Sequence, residues 1–420
     1  MDVVPGYKQT EMGVIPYEWE VCPVSQKGEV LTGKALAAKA PGAQRPYLRT
    51  KNVFDGRIDI DDVLTMPMTG EQFDQFQVRN GDVLLNEGQS LDLVGRCAIY
   101  QDEYPEPCAM QNALLRFRPR ADVSGRFASH LFRHCQQTGV FARIALQTTS
   151  VAHLGGTRFE RLRLAWPTAT EQHAIASALS DVDALLDGLT RLIAKKRDLK
   201  QAAMQQLLTG RTRLPGFRGD WEVKTLGDLG NTYGGLTGKT KADFGDGSGR
   251  YVTFMNVVTN VVIDCATFGR VKVSPTEAQN RVVKGDLLFN GSSETPEEVA
   301  MCAVLTTHVP SLFLNSFCFG FRFHNSVDAD GLFLAYYLRG GAGRELMKSL
   351  AQGSTRYNLS KVALLESSLR LPLRDEQTAV ATVLSDMDAE LSALEARRTK
   401  TRLLEQAMMQ ELLTGRTRLV

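Results

Sequence analysis

Between Glu171 and Leu214 apolar side chains recur every three or four positions: Ile175, Ala178, Val182, Leu185, Leu189, Leu192, Leu199 and Ala203, with Lys196 standing once in the row. That alternation predicts a long helix of coiled-coil type with these residues along its seam. A second such stretch closes the chain, where Val380, Val383, Met387, Leu394, Leu404 and Met408 hold the row while Glu390, Arg397 and Thr401 interrupt it. Thr170 and Asp375 stand where N-caps belong, with Glu171 and Glu376 in the first turn and Gly210 and Gly415 where each helix should end. About 38 residues at 1.5 Å each make rods of roughly 57 Å. A rod of that length cannot bury its stripe alone, so each predicts the other as partner. A pseudo-two-fold axis would set the pair antiparallel.

Outside these stretches the pattern changes to short apolar runs, such as Asp82-Val83-Leu84-Leu85, Leu114-Leu115-Arg116-Phe117, Tyr251-Val252-Thr253-Phe254 and Phe317-Cys318-Phe319-Gly320-Phe321. Gly, Asn and Pro punctuate them as turns do between strands. Helical stretches are predicted near Phe127–Arg143 and Gly331–Leu350. The expected fold class is α+β, two similar heads with curled, mainly antiparallel sheets, each followed by a long helix.

The two halves repeat. Glu171–Leu214 and Glu376–Leu419 align without a gap at an offset of 205, with 26 of 44 positions identical. The heads keep the register more loosely. Leu31-Thr32-Gly33-Lys34 is echoed by Leu236-Thr237-Gly238-Lys239, Tyr47 with Asn52-Val53 by Tyr251 with Asn256-Val257, and Asn80-Gly81-Asp82-Val83-Leu84-Leu85-Asn86 by Lys284-Gly285-Asp286-Leu287-Leu288-Phe289-Asn290. Thr149-Ser150 and His153-Leu154 fall against Ser354-Thr355 and Asn358-Leu359, and Trp19-Glu20-Val21 and Trp221-Glu222-Val223 open the halves. The predicted organisation is a head over 1–168, a helix over 169–214, a second head over 215–373 and a second helix over 374–420. Helices held alike between divergent heads suggest that the helices assemble the molecule and that each head recognises something different.

Composition removes several alternatives. Seven cysteines, odd in number and without a CxxC pair, argue against a disulfide framework or a zinc ribbon and for reduced thiols in a cytosol. No signal sequence and no apolar run of membrane-spanning length is present, so a cytoplasmic location without membrane contact is expected. Charge is nearly balanced throughout: the first head carries 19 basic and 19 acidic residues, the second 16 and 15. A protein that coats nucleic acid has a larger excess, so any DNA contact here is local. Candidate catalytic motifs fail. Gly-Leu-Thr-Gly-Lys-Thr at 235–240 lacks the first glycine of a phosphate loop, whose place is taken by Tyr233. His130 and His134 have helical spacing but no further ligand beside them, which reads as two surface histidines.

A variable head, a helix, a second head and the same helix again resemble the specificity subunit of type I restriction–modification systems. The motifs are the two Trp-Glu-Val openers, Gly-Asp followed by Val or Leu, Gly353-Ser354-Thr355, Pro-x-x-x-Glu-Gln at each helix start and Leu-Leu-Thr-Gly-Arg-Thr-Arg-Leu at each helix end. The first half departs at Gln147 to Ser150 and at Gly155-Gly156, where the second has Ser360-Lys361. The resemblance implies a non-catalytic, DNA-binding chain: each head reads one half of a split site on double-stranded DNA. The helices set the spacing and dock two methyltransferase subunits, which restriction subunits join. It implies no cofactor on this chain; S-adenosylmethionine, ATP and Mg belong to the partners. The competing readings are a bivalent adaptor whose heads bind protein, and an enzyme fused to recognition domains.

Residue chemistry selects the DNA-contact candidates, because Asn reads adenine edges while Arg and Lys read guanine or hold phosphate. They are Lys34 with Lys239, Arg49, Lys51 and Asn52 with Asn256, Asn86 with Asn290, and Arg356, Tyr357 and Asn358 in the second head.

Overall fold

The structure is a computed structural model that describes residues 5–37, 39–148 and 150–419. Thr149, one of the landmarks near the end of the first head, lies outside the described residues. The chain divides into two compact units, one of Met1–Thr190 with Ala396–Val420 and one of Arg191–Glu395. The long helices, Ala169–Leu207 and Arg374–Leu412, each contribute residues to both.

Each head is built around a four-stranded antiparallel sheet. In the first the order is Gly28–Thr32, Leu114–Pro119, Val83–Asn86, Cys97–Ile99; in the second it is Gly230–Gly234, Cys318–Phe323, Leu287–Asn290, Cys302–Val304. Val83–Asn86 is buried along its whole length, which explains an apolar run without polar alternation. Successive side chains of a strand point to opposite faces. Val83 and Leu85 therefore enter a core shared with the helices, and Leu84 enters a second core on the far side. The second head repeats this with Leu287 and Phe289 on one side and Leu288 on the other.

The outer core of each head is covered by a three-stranded sheet with one parallel pair. It is ordered Ala109–Met110, Ala43–Leu48, Leu64–Met68 in the first head and Gly269–Val271, Phe244–Val252, Leu312–Leu314 in the second. A third, short sheet lies beside each: Leu146–Gln147, Ala152–His153 and Gly88–Gln89, against Ala351–Gln352, Tyr357–Leu359 and Ser292–Ser293. The openers Glu20–Pro23 and Glu222–Thr225 pair with Arg163–Trp166 and Ser368–Leu371, so the opener of each head closes against its last strand; in the first head a hairpin of Tyr7–Thr10 and Gly13–Pro16 precedes it. Both predicted head helices are broken once. The first is Gly125–Gln137 then Val140–Ile144, with Gly139 left-handed at φ 73° between them; the second is Gly331–Arg339 then Gly341–Ser349.

The inner core of each unit is completed by both long helices. Ile175, Ala176 and Leu179 join Met409, Leu412 and Leu413 around Trp19, Trp166 and Phe132 in one unit; Leu207 and Leu208 join Val380, Ala381 and Leu384 around Trp221 and Phe333 in the other. In each unit the start of one helix meets the end of the other, so the paired segments run antiparallel.

The seam differs from the sequence reading by one residue. Leu189 is buried, and Val182, Met387, Leu394 and Met408 are half-buried, as expected of seam positions. Leu185, Leu192, Leu199 and Leu404 are not seam residues: they are 42%, 39%, 48% and 54% exposed. The inward positions are Leu179, Leu186, Ile193 and Leu207 on the first helix, and Leu384, Leu391, Glu405 and Leu412 on the second. Thr401, read as an interruption, is itself buried. Leucine at both 185 and 186, and Leu192 beside Ile193, make two neighbouring heptad frames equally apolar, and the head cores select between them. The N-caps also move. Both helices start earlier than Thr170 and Asp375, and it is the Thr168 hydroxyl that accepts from the Glu171 amide at 3.4 Å. The ends stand where expected, with Gly210 and Gly415 left-handed at φ 69° and 73°. At the second end, Gly415 N–H to Leu412 and Arg416 N–H to Glu411 close a Schellman pair.

Candidate nucleic-acid interface

Most of the repeated motif residues are framework. Glu171 is fully buried; it accepts from the Trp19 indole at 2.8 Å and from both ends of the Arg418 guanidinium at 2.5 and 3.0 Å. In the second unit the buried Glu376 takes both Nε and Nη2 of Arg213. The first glutamate of each helix is thus latched by the arginine that follows the other helix. Gln172 and Gln377 repeat each other as well: each amide oxygen caps a head-helix start (Ser124 N–H, Asp330 N–H, both 2.9 Å), and each NH2 donates to the carbonyl of Pro167 or Pro372. The opener tryptophans lie on the terminal glycines, Trp221 over Gly210 and Trp19 over Gly415. A latch of this kind explains Trp-Glu-Val, Pro-x-x-x-Glu-Gln and Thr-Gly-Arg-Thr-Arg together. Trp221 departs from Trp19 in one respect: its buried indole N–H has no partner among the described residues.

The aspartate of the Gly-Asp motif is a buried anchor. Asp82 accepts both Arg118 Nε (2.8 Å) and Nη2 (2.7 Å), and Asp286 accepts Arg322 in the same way at 2.9 and 2.7 Å. Each aspartate also caps its own turn, at Arg79 N–H and Val283 N–H.

Four DNA candidates are corrected here, because their amides serve the fold. Asn52 is buried and donates to the carbonyls of Asp59 and Asp62. Asn256 is buried and clasps Asp264 through both its N–H and its carbonyl. Asn86 is fully buried and donates to Val53 O; Asn290, equally buried, donates to Ser292 O and Glu298 O and accepts from Met301 N–H. A side chain sealed in this way cannot present its edge to a base. Lys239 is also committed, since its ammonium sits on Glu277 at 2.6–2.7 Å and holds that carboxyl down at about 2. Arg49 and Lys51 share the carboxylate of Asp62, at 2.6 and 2.8 Å, which leaves one net positive charge there. Lys34 is exposed.

Arg356, Tyr357 and Asn358 lie together at the short outer sheet of the second head. Arg356 Nε donates to Ser292 Oγ at 3.2 Å, and the guanidinium stands 5.6 Å from the ring centre of Phe317, which is 59% exposed. Asn358 is exposed beside it and donates to Arg356 O. An exposed arginine held at Nε carries in its two Nη groups the fork that reads guanine or grips phosphate. In the first head the same sheet carries other chemistry. His153 Nδ1 lies 3.2 Å from Glu87, Leu146 is 59% exposed, and Ala113, left-handed at φ 66°, stands where the second head has Phe317. Phe317 and His153 escaped the sequence reading, because nothing in a short apolar run shows which residue sits on the turn.

The heads are mounted on the helices through charge. Arg133 bonds Asp55 (3.0 Å), Asp183 (2.9 Å) and Glu405 (3.1 Å). Burial first, and then the hydrogen bond with Asp183, push the Glu405 carboxyl up to about 7. His130, expected on the surface, is buried beside Ser180 and Asp183, and burial pulls its imidazole down to about 4. The equivalent place in the second unit is simpler: Asp388 accepts the Tyr336 hydroxyl at 2.7 Å and pairs with Lys200.

No helix among the described residues is long and apolar enough to cross a membrane, and no cluster of metal-ligating residues occurs among them.

Comparison with known proteins gives one consistent result. Residues 16–196 and 218–405 each match the type I restriction modification DNA specificity domain. Two Methanocaldococcus jannaschii proteins named as type I restriction enzyme specificity subunits, MjaX and MjaVIII, are similar along nearly their whole length. They are 25% and 22% identical, covering 98% and 96% of this chain and 97% and 94% of theirs. Among solved structures, the S subunit of a type I restriction–modification system from M. genitalium superposes with a TM-score of 0.55 at 16% identity, covering 94% of this chain and 96% of that one. The HsdS subunit of Thermoanaerobacter tengcongensis gives 0.51 at 17% identity, covering 96% and 98%.

Proposed function

The chain belongs to the type I restriction modification DNA specificity family, and from that premise we propose that each head reads one half of a bipartite duplex site. One observation carries the two-reader proposal. The arginine–glutamate latches, aspartate anchors and buried asparagines recur in both units, while the side chains on and beside the short sheet differ: Arg356, Asn358 and Phe317 in one, His153, Gln89 and Leu146 in the other. A scaffold held constant under a changed surface is what two readers of different sequence require.

The antiparallel helices act as the spacer between half-sites, and their outward faces dock two copies of a methyltransferase subunit. Support comes from positions that are identical in the two repeats yet exposed: Lys195 and Lys400, Leu199 and Leu404, Gln205 and Gln410. Packing within the chain does not explain those identities; a partner present twice does. Methyl transfer with S-adenosylmethionine, and cleavage with ATP and Mg, belong to the methyltransferase and restriction subunits, and the assembly works in the cytoplasm.

The test is a head exchange. Residues 1–168 are replaced by the corresponding head of a related subunit, and the modified sites are mapped in the host genome. One half of the site should change while the other persists. A change in both halves, or in neither, contradicts the proposal; a shift assay on the methyltransferase complex that detects no DNA binding favours the protein-adaptor reading.

A further inference from the structure

In the outer sheet of the second head, Phe244–Val252 pairs antiparallel with the edge strand Gly269–Val271, and the register sets Arg250 directly opposite Arg270. Val271 is buried and packs with Tyr251 against Leu236 and Phe313. Alternation along the strands then sets Arg250, Arg270 and Lys272 on the other face, the one that Val252 and Leu312 share, and all three are exposed. Like charges directly opposite on neighbouring strands repel across about 5 Å. Among the described residues none of the three is paired with a carboxylate. Arg250 donates to the carbonyl of Pro310 at 3.3 Å, and Lys272 to that of Ala242 at 3.5 Å. Glu277 holds Lys239, and Asp243 accepts from Thr240 while its charge also acts on Lys272, which leaves the two arginines without a carboxylate partner among the described residues. The fold does not require this row, because the first head pairs Pro46 with Thr65 at the same place.

We infer that Arg250 and Arg270, with Lys272 beside them, form a clamp for a backbone phosphodiester of the DNA duplex. Two guanidinium groups carried at directly opposed positions suit the oxygens of one phosphate, and the anion offsets the like-charge repulsion of that register. A contact of this kind fixes the head on the duplex and carries no sequence information. It thus complements Arg356, whose place on the short sheet suits base readout. The inference rests on the DNA-reading function proposed above.

The experiment uses the complex with its methyltransferase subunits and the double variant Arg250→Gln/Arg270→Gln. Equilibrium binding is measured over a range of salt, on the duplex that carries the mapped modified site and on a scrambled duplex. Both affinities should fall by the same factor. The slope of log K against log salt should shrink by about one, the value for one lost phosphate contact. The genomic methylation pattern should stay the same, and the free variant should melt no lower than wild type, because a repulsion has been removed. Unchanged affinity and slope overturn the clamp. So does a loss confined to the mapped site, which would make the arginines base readers, and so does a lowered melting point with an unchanged slope, which would make them structural. Wild-type complex that binds neither duplex refutes the DNA-reading function itself, and that control is read independently of the variant.

Discussion

Arg213→Ala and Arg418→Ala remove the same contact from two similar latches, yet they should differ in effect. Each leaves a glutamate behind, and Glu376 and Glu171 are 2% and 0% exposed. Breaking a buried ion pair from one side costs about 3–5 kcal/mol, because the remaining charge is uncompensated. Glu171 keeps the Trp19 indole at 2.8 Å, and a hydrogen bond to a charged group contributes about 1.5–3 kcal/mol. Glu376 has no such reserve among the described residues, where the Trp221 N–H finds no partner. Arg213→Ala should therefore destabilise its unit by about 3–5 kcal/mol, and Arg418→Ala by roughly half as much. For units of this size about 1 kcal/mol moves the midpoint by 2–4 °C, so a difference of several degrees is expected. Calorimetry gives the midpoints, and hydrogen exchange followed by peptide assigns each loss to its unit. Adding Glu376→Gln to Arg213→Ala removes the stranded charge and should recover at least half of the loss. Equal losses in the two units, a larger loss for Arg418→Ala, or no recovery with Glu376→Gln would refute the reasoning.

Three further outcomes follow from the helices. Leu189→Asp buries a charge and should cost several kcal/mol or yield insoluble protein, whereas Leu185→Asp should fold normally and weaken only methyltransferase co-purification; equal behaviour of the two would disprove the revised seam. Glu405, ordinarily near 4.5, binds its proton more tightly when folded, so its stabilising effect is complete at low pH and is lost as pH rises through about 7. Between pH 5 and 8 the wild-type unit should lose on the order of 1–2 kcal/mol after solvent screening, and Glu405→Gln should flatten that slope; parallel stability–pH curves would count against it. Inserting four residues between Lys195 and Lys196 lengthens the first helix by about 6 Å and should widen the gap between half-sites by one or two base pairs at about 3.4 Å each; sequencing of modified sites showing an unchanged gap would rule out the helices as spacers.

Where information was local, the sequence carried it. The repeat, the helix ends at Gly210 and Gly415 and the class of the heads all follow from patterns a few residues long. What failed depended on partners distant in the chain. The seam frame is set by the head cores, not by the helix, because Leu185 and Leu186 are equally apolar until something packs on one of them. Asn86 and Asn290 have the chemistry of adenine readers, and only the carbonyls of Val53 and Glu298 show that their amides are already engaged. Lys239 resembles Lys34 in its motif, but Glu277, 38 residues away, changes its role. The Arg250–Arg270 pairing belongs to a strand register that no local pattern records.

The division of the chain bears on the order in which the protein can be made. The second unit is one continuous stretch, Arg191–Glu395, whereas the first needs Met1–Thr190 and then the final 25 residues from Ala396. On the ribosome the first head emerges early but lacks Met409, Leu412 and Arg418, so Ile175, Leu179 and the Glu171 carboxylate have no cover. At about 5–20 residues per second that gap lasts roughly 10–40 s. The head made first is the one finished last. Truncation just after Glu395 strands an aggregation-prone N-terminal half beside a second unit that is complete.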